Sequence, residues 1–268
     1  MRQYGLALLI AMSGVAPAMA ADLPSRIVAK APAVTDPAYN WGGWYAGGHI
    51  GGAWGTSDVG NAFVNGTAPI ANQQTFAATL PQLNPTGFSG GGQIGYNHQV
   101  DRWLFGIEAD ASYSGLRQSR SVTAAFPAGN GAFTATSSIG SDWMATLRPR
   151  AGYTVDRTLL YLTGGLALTD LNFASSYADT AGQSAAAGFS KTRVGWVAGA
   201  GIEHAFTKNW SAKVEYLYAD FGKQSVATPI VSGAGATNGL IAQDVDLKTS
   251  TVRGGLNYHF SGPPFGKY

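Results

Sequence analysis

Apolar and polar residues alternate along much of this chain with a period of two, the period of an extended strand whose two faces look onto different media. The stretch 251–260 shows it most fully. Val252, Gly254, Leu256, Tyr258 and Phe260 share one face, and Arg253, Gly255, Asn257 and His259 share the other. An apolar, aromatic-ended face set against a charged one suits a strand between lipid and water, although a soluble sandwich can alternate in the same way. The same pattern predicts strands at 44–54, 89–99, 103–114, 143–155, 158–169, 193–205, 210–221 and 250–260, eight in all.

The connections separate the two cases. Segments 100–102, 156–157 and 206–209 are short turns, whereas 55–88, 115–142, 170–192 and 222–249 are rich in Gly, Ala, Ser, Thr and Asn and are expected to be long loops. Short turns at one end and long loops at the other describe an outer-membrane meander with its turns on the periplasmic side. Aromatic placement agrees. Trp103, Trp143 and Trp210 open strands, Tyr96, Tyr153 and Phe260 lie by the turns, and Tyr113, Tyr218 and Phe221 lie by the loops, as two interfacial girdles require. The expected fold is all-β, an eight-stranded antiparallel up-and-down transmembrane β-barrel.

The N-terminus changes the compartment rather than the fold. Arg2, the apolar run 6–15 and the small residues Ala18 and Ala20 stand in the order of a secretory signal. The expected division is a cleaved signal at 1–20, an extended periplasmic leader at 21–43, an outer-membrane barrel at 44–260 and a tail at 261–268. No later apolar run approaches the roughly 20 residues of a membrane-spanning helix. Without cysteine there is neither a disulfide framework nor a thiolate metal site. Only 12% of residues are charged, and the net charge of +2 gives no electrostatic case for nucleic acid.

Extending the alternation into the strands assigns an inward face. Glu108, Asp110, Glu203 and Glu215 join Arg148, Arg150, Lys213 and Arg253 there, four acids against four bases. An eight-stranded barrel has room inside for little more than side chains, and buried charges must be paired, so these eight are expected to form a structural network in a plugged lumen. A proton path or an acid/base pair is the sharper alternative. Pro149 lies between two of these arginines, and a bulge or bend is expected there because proline removes a ladder donor.

Five runs carry a family likeness: WGGWYAGGHIGGAWG, GGGQIGYNHQVDRWLFGIEADASYSG, LRPRAGYTVDRTLLYLTGGLAL, VGWVAGAGIEHAFTKNWSAKVEYLYADFG and VRGGLNYHF. Together they resemble the outer-membrane immunogenic protein family of alphaproteobacteria, grouped with the porin-like and outer-membrane β-barrel domain families, over nearly all of 44–260. The resemblance implies a small surface barrel of the OmpA-like class. It also implies that Leu256, Tyr258 and Phe260 form the signal read by the barrel-assembly machinery, although eight residues follow Phe260 here.

Other functions are weighed on the same residues. A lipid-modifying enzyme would need a nucleophile with a histidine base, and His49, His98, His204 and His259 all fall on strands or by turns, not on loops. Haem capture would need exposed ligands, for which the loops offer Tyr177. A small-solute porin would need more strands. The reading is therefore a structural and surface-interaction barrel with no catalytic residues, metal or cofactor. Its partners are outer-membrane lipid, lipopolysaccharide and the assembly machinery, with surface or host ligands left to the loops.

Overall fold

A computed structural model of the chain describes residues 39–57, 59–64, 74–75, 83–127 and 131–260. The expected signal at 1–20, the leader up to residue 38 and the tail at 261–268 lie outside the described residues. The strand segments are β1 Gly43–Thr56, β2 Val59–Val64, β3 Thr86–Val100, β4 Trp103–Ala125, β5 Ala132–Val155, β6 Thr158–Asp179, β7 Gln183–Ala205, β8 Trp210–Ser232 and β9 Thr237–His259. All pairings are antiparallel, and β1 pairs with both β3 and β9, so the sheet closes on itself. β2 continues β1 along β9 in unbroken register, with Thr56 facing Lys248 and Val59 facing Val245. The ring therefore has eight strands.

Its dimensions follow from the register. Stepping from partner to partner, Gly43 leads to Asn97, Gly106, Arg150, Thr163, Gly199, Leu217, Thr251 and back to Ala53 on β1, a stagger of ten residues from 43 to 53. Eight strands with that stagger tilt by about 40° and enclose a space that side chains alone can fill. The turns at 101–102 and 156–157 are tight, with Asp101 and Asp156 in the left-handed region at φ 53° and 52°. Asp tolerates that conformation better than most residues.

The segments expected to be long loops are mostly strand. β4 to β9 each run for 22 to 24 residues. They take in most of 115–142, 170–192 and 222–249, with hairpin tips at 180–182 and 233–236 among the described residues. Backbone pairing does not need large side chains, so Gly, Ala, Ser and Thr continue a ladder begun in the membrane, where the polar face outside meets water. A strand of about 23 residues tilted by about 40° rises some 55–60 Å, roughly twice the height of an outer-membrane apolar band.

Irregularities mark where the wall leaves the belt. The register shifts between Gly140 and Met144 of β5, where Asp142 N and Trp143 N both donate to Asp170 Oδ1, at 2.8 and 3.0 Å. A carboxylate taking two adjacent amides satisfies donors that a bulge strips from the ladder. A second shift lies between Asp220 and Lys223 of β8, around Gly222 at φ 68°. Pro149, by contrast, does not bulge. Ile107 faces it on one side, and on the other the register is the same at Leu147–Leu166 and Arg150–Thr163. Thr163 Oγ1 donates to Pro149 O at 3.0 Å, tying the strands where proline has no N–H to give.

Inward glycines are fixed by packing. A Cβ on Gly51 would lie 2.7 Å from Arg253 Cα and 2.8 Å from its Cβ, whereas a Cβ on the next residue, Gly52, meets nothing within 4 Å. Gly51→Ala is accordingly expected to cost about 1–3 kcal/mol through overpacking, and Gly52→Ala to be close to neutral. Urea midpoints of the two refolded variants would check this; equal midpoints would refute it.

Candidate functional site

The lumen is built in layers. At the short-turn end Trp41, Leu104, Leu159, Tyr161 and Ala205 form an apolar floor. Beyond the next layer, Leu83, Ile139, Met144, Ala167, Leu171, Phe173, Val197, Leu217, Ala219, Phe221, Val245 and Leu247 close the interior again. Phe133, Ala135, Tyr177, Ala185, Ile230 and Ile241 fill the outermost part. Phe221, expected in the outer girdle, is instead buried inside, because it shares the parity of Lys213 and Glu215 on β8. The end of the expected leader is not free either: Trp41 is fully buried, its N–H donates to Gln99 Oε1 at 2.7 Å and its carbonyl accepts from Asn97 Nδ2 at 3.2 Å.

Between floor and roof lie all eight charged side chains assigned inward from the sequence, none more than 5% exposed. Arg148 of β5 reaches three acids: Glu108 at 2.5 Å, Asp110 at 3.1 Å and Glu215 at 3.2 Å. Arg150 joins Glu203 at 3.0 Å to Glu108 at 3.3 Å, with its guanidinium 4.6 Å from the Tyr161 ring centroid. Arg253 of β9 pairs with Glu215 at 2.7 Å and Asp110 at 3.0 Å, and Lys213 Nζ with Glu108 at 2.9 Å. Five strands supply these groups, so the network spans the ring. Charge-assisted bonds of this kind offset the cost of burying the ions only when each is multiply satisfied, and here each acid has two or more partners.

Neutral side chains complete the layer, and of these only His49 was singled out from the sequence, as a candidate base. Tyr45 OH donates to Glu108 Oε2 at 2.7 Å and accepts from Arg150 at 2.9 Å. Tyr161 OH donates to Glu215 at 3.0 Å, and Thr146 Oγ1 to Asp110 at 2.5 Å. His49 lies between Gln93 and Ser112, at 3.0 and 2.8 Å. Parity was the available signal. These residues alternate with lipid-facing ones just as the charged residues do.

One cluster has the composition of a hydrolase triad. Ser211 Oγ lies 3.0 Å from His259 Nε2, and Glu203 Oε1 lies 3.4 Å from the same nitrogen. A base that relays a proton needs its acid on one ring nitrogen and its nucleophile on the other. Here both meet Nε2, and Ser211 donates directly to Glu203 at 2.5 Å, beneath Tyr39 and Trp41. The arrangement is a buried hydrogen-bond knot. Among the described residues no group of three or more His, Cys, Asp or Glu is placed to hold a metal ion. Tyr177, the haem-ligand candidate, is part of β6 rather than a loop and donates to Asp179 at 2.9 Å. Burial first, and then the hydrogen bond and charge of Asp179, hold its phenol protonated well above the usual range. That disfavours the phenolate an iron would take.

The outer wall carries the apolar belt. Trp44 stacks edge-on with Tyr96, Trp103 with Tyr153, and Trp210 with Tyr258, each pair at 5.3 Å, in a girdle at the short-turn end. Trp196 and Tyr218, at 5.5 Å, belong to the opposite girdle with exposed Tyr113 and Trp143. Exposed Ile, Leu, Val and Phe lie between them.

The chain is similar in sequence to known outer-membrane proteins. The model of a family described as "Outer membrane protein beta-barrel domain" matches residues 6–260. A 31 kDa outer-membrane immunogenic protein of Brucella melitensis is 38% identical over 177 residues, 65% of this chain and 67% of that protein. A 25 kDa outer-membrane immunogenic protein of Brucella abortus is 27% identical over 246 residues, 91% of this chain and 92% of that one. A 22 kDa outer membrane protein of Rhizobium leguminosarum is 30% identical over 189 residues, 69% of this chain and 66% of that protein.

Proposed function

The chain belongs to the outer membrane protein beta-barrel domain family, and from that premise we propose that it serves as a structural, surface-presenting barrel. The belt anchors it in the outer membrane, the filled lumen stiffens its wall, and the strand extensions carry the hairpin tips into the medium. A segment at 1–20 acts as its export signal. Leu256, Tyr258 and Phe260, all exposed on the outer face of the closing strand and its end, act as the assembly signal. The names of the Brucella relatives support a role for the extension as a surface antigen.

The observation that carries this reading is the layered lumen. A conducting path would have to pass the Trp41 floor, the network of four acids and four bases, and two apolar layers above it. The Ser211–His259–Glu203 geometry speaks against an enzyme of the lipid-modifying type. In a planar bilayer the refolded protein is expected to show no steady conductance; large, stable channels would favour a small-solute porin and overturn the reading.

Orientation has its own test, helped by the absence of native cysteine. Ala234→Cys at a hairpin tip is expected to react with a membrane-impermeant maleimide on intact cells, and Lys208→Cys in a short turn only after lysis. The reverse pattern would put the turns outside.

A further inference from the structure

The lipid-facing wall is uneven. Over β4 to β7 its outward positions carry bulky residues such as Phe105, Leu147, Leu162 and Trp196. Across β8, β9, β1 and β3 it sinks instead into an apolar groove of about 990 Å³. Ala46, Gly48, Gly90, Ala212 and Gly254 make the floor, and Trp210, Tyr258, Leu256, Ile50 and Phe88 make the rim.

A Cβ on Gly90 would press on the Phe88 ring at 3.0 Å, but the fold gives no such reason for glycine at the other two floor positions. A Cβ on Gly48 would lie 3.5 Å from Gly91 O, and one on Gly254 would lie 3.9 Å from Lys213 O, both ordinary contacts. Inward neighbours differ: at Gly91 a Cβ would come within 2.6 Å of Ser112 Cα. Glycine costs a strand both entropy and packing, so an outward glycine with room for a side chain leaves space for something beyond the wall.

What fills that space comes from the membrane, because the groove lies within the aromatic-bounded belt. A second copy fits poorly. A two-fold contact sets the same concave surface against itself and leaves a void, which close packing does not tolerate. A flexible acyl chain can follow the groove. At its short-turn end the groove is bounded by Trp210, and exposed Lys208 lies two residues before it in the 206–209 turn. The other two short turns place an Asp beside each Arg, at Asp101–Arg102 and Asp156–Arg157, whereas the ammonium of Lys208 has no ion pair among the described residues. An interfacial cation beside an apolar groove and an indole complements a phosphate with acyl chains attached.

We propose that this groove is a binding site for a phospholipid of the periplasmic leaflet, its acyl chains over Gly48 and Gly254 and its phosphate at Lys208. The leaflet rests on the orientation proposed above. The groove itself does not, so a barrel inserted the other way would fail the maleimide test and still lose lipid when the groove is filled.

The test uses the full-length protein extracted in mild detergent and offered mixed micelles of phosphatidylglycerol and phosphatidylethanolamine, with bound lipid counted by native mass spectrometry. The wild type is expected to retain phospholipid and to prefer phosphatidylglycerol. The double variant Gly48→Leu/Gly254→Leu, whose new side chains fill the floor while keeping the belt apolar, is expected to lose retention roughly tenfold. Lys208→Glu is expected to keep total retention but lose the preference for phosphatidylglycerol. Heat-modifiable migration on a gel would show that each variant is folded. Equal retention by wild type and the double variant would overturn the proposal. So would a lipid-free dimer that dissociates in the double variant, since a second copy would then be the occupant.

Discussion

Replacing Arg148 with methionine is expected to destabilise the refolded barrel by about 3–5 kcal/mol, the cost of leaving buried charges without their partner. Methionine nearly matches the arginine stem in bulk, so the loss would report charge rather than a cavity. Glu108, Asp110 and Glu215 all pair with this guanidinium. Arg253 and Lys213 would be left to balance them, with Arg150 shared with Glu203. Adding Glu215→Gln to Arg148→Met restores neutrality and is expected to recover part of the loss, a coupling of about 1–3 kcal/mol. Urea unfolding in lipid vesicles would measure both. A single variant within about 0.5 kcal/mol of wild type, the range of an ordinary surface change, would mean that water screens the network and that the lumen is not packed as described.

Trp41→Ala is the second large effect, at about 3–5 kcal/mol for removing a fully buried indole. Trp41 packs against Leu104, Leu159, Tyr161 and Ala205 and meets the His259 ring at 5.5 Å. Its Nε1 has no acceptor among the described residues, so apolar contact holds the indole while Gln99 and Asn97 hold the backbone. Deleting the chain up to Gly42, and with it the strap 39–42 across the short-turn end, should cost at least as much as the point variant, since it removes the indole together with the backbone bonds to Gln99 and Asn97. The comparison is again one of urea midpoints. A truncated barrel as stable as the wild type would show that the strap rides on the fold without supporting it.

Much of the barrel could be read from the chain because lipid and lumen impose opposite demands on successive residues. That alternation located the membrane parts of β1 and β3 to β9, and the short turns with their Asp residues located one end. Glu108 and Arg148 face each other across β4 and β5, and that pair follows from parity and hairpin register together. Phe221 was legible by the same rule, since an odd number on β8 points inward. The pull of an aromatic toward a girdle hid it. Leu171, Phe173, Val245 and Leu247 also alternate with polar neighbours, a signal that a composition rich in Gly, Ala and Ser masked.

Other features depended on contacts between residues far apart in the chain. Nothing near Asp142 in sequence announces that Asp170 will hold its amide, and so the bulge there was invisible. Which acid each arginine reaches depends on a ring closed with a stagger of ten residues, because that stagger brings β9 against β1 and Arg253 over Asp110. A membrane-spanning meander with a charged but neutral interior could be read from residue order alone, since period-two alternation is local and lipid enforces it residue by residue. How far the strands climb beyond the membrane, what seals the lumen and where the wall is hollow emerge only from the closed ring, since backbone pairing and closure join residues that carry no mark of each other in the chain.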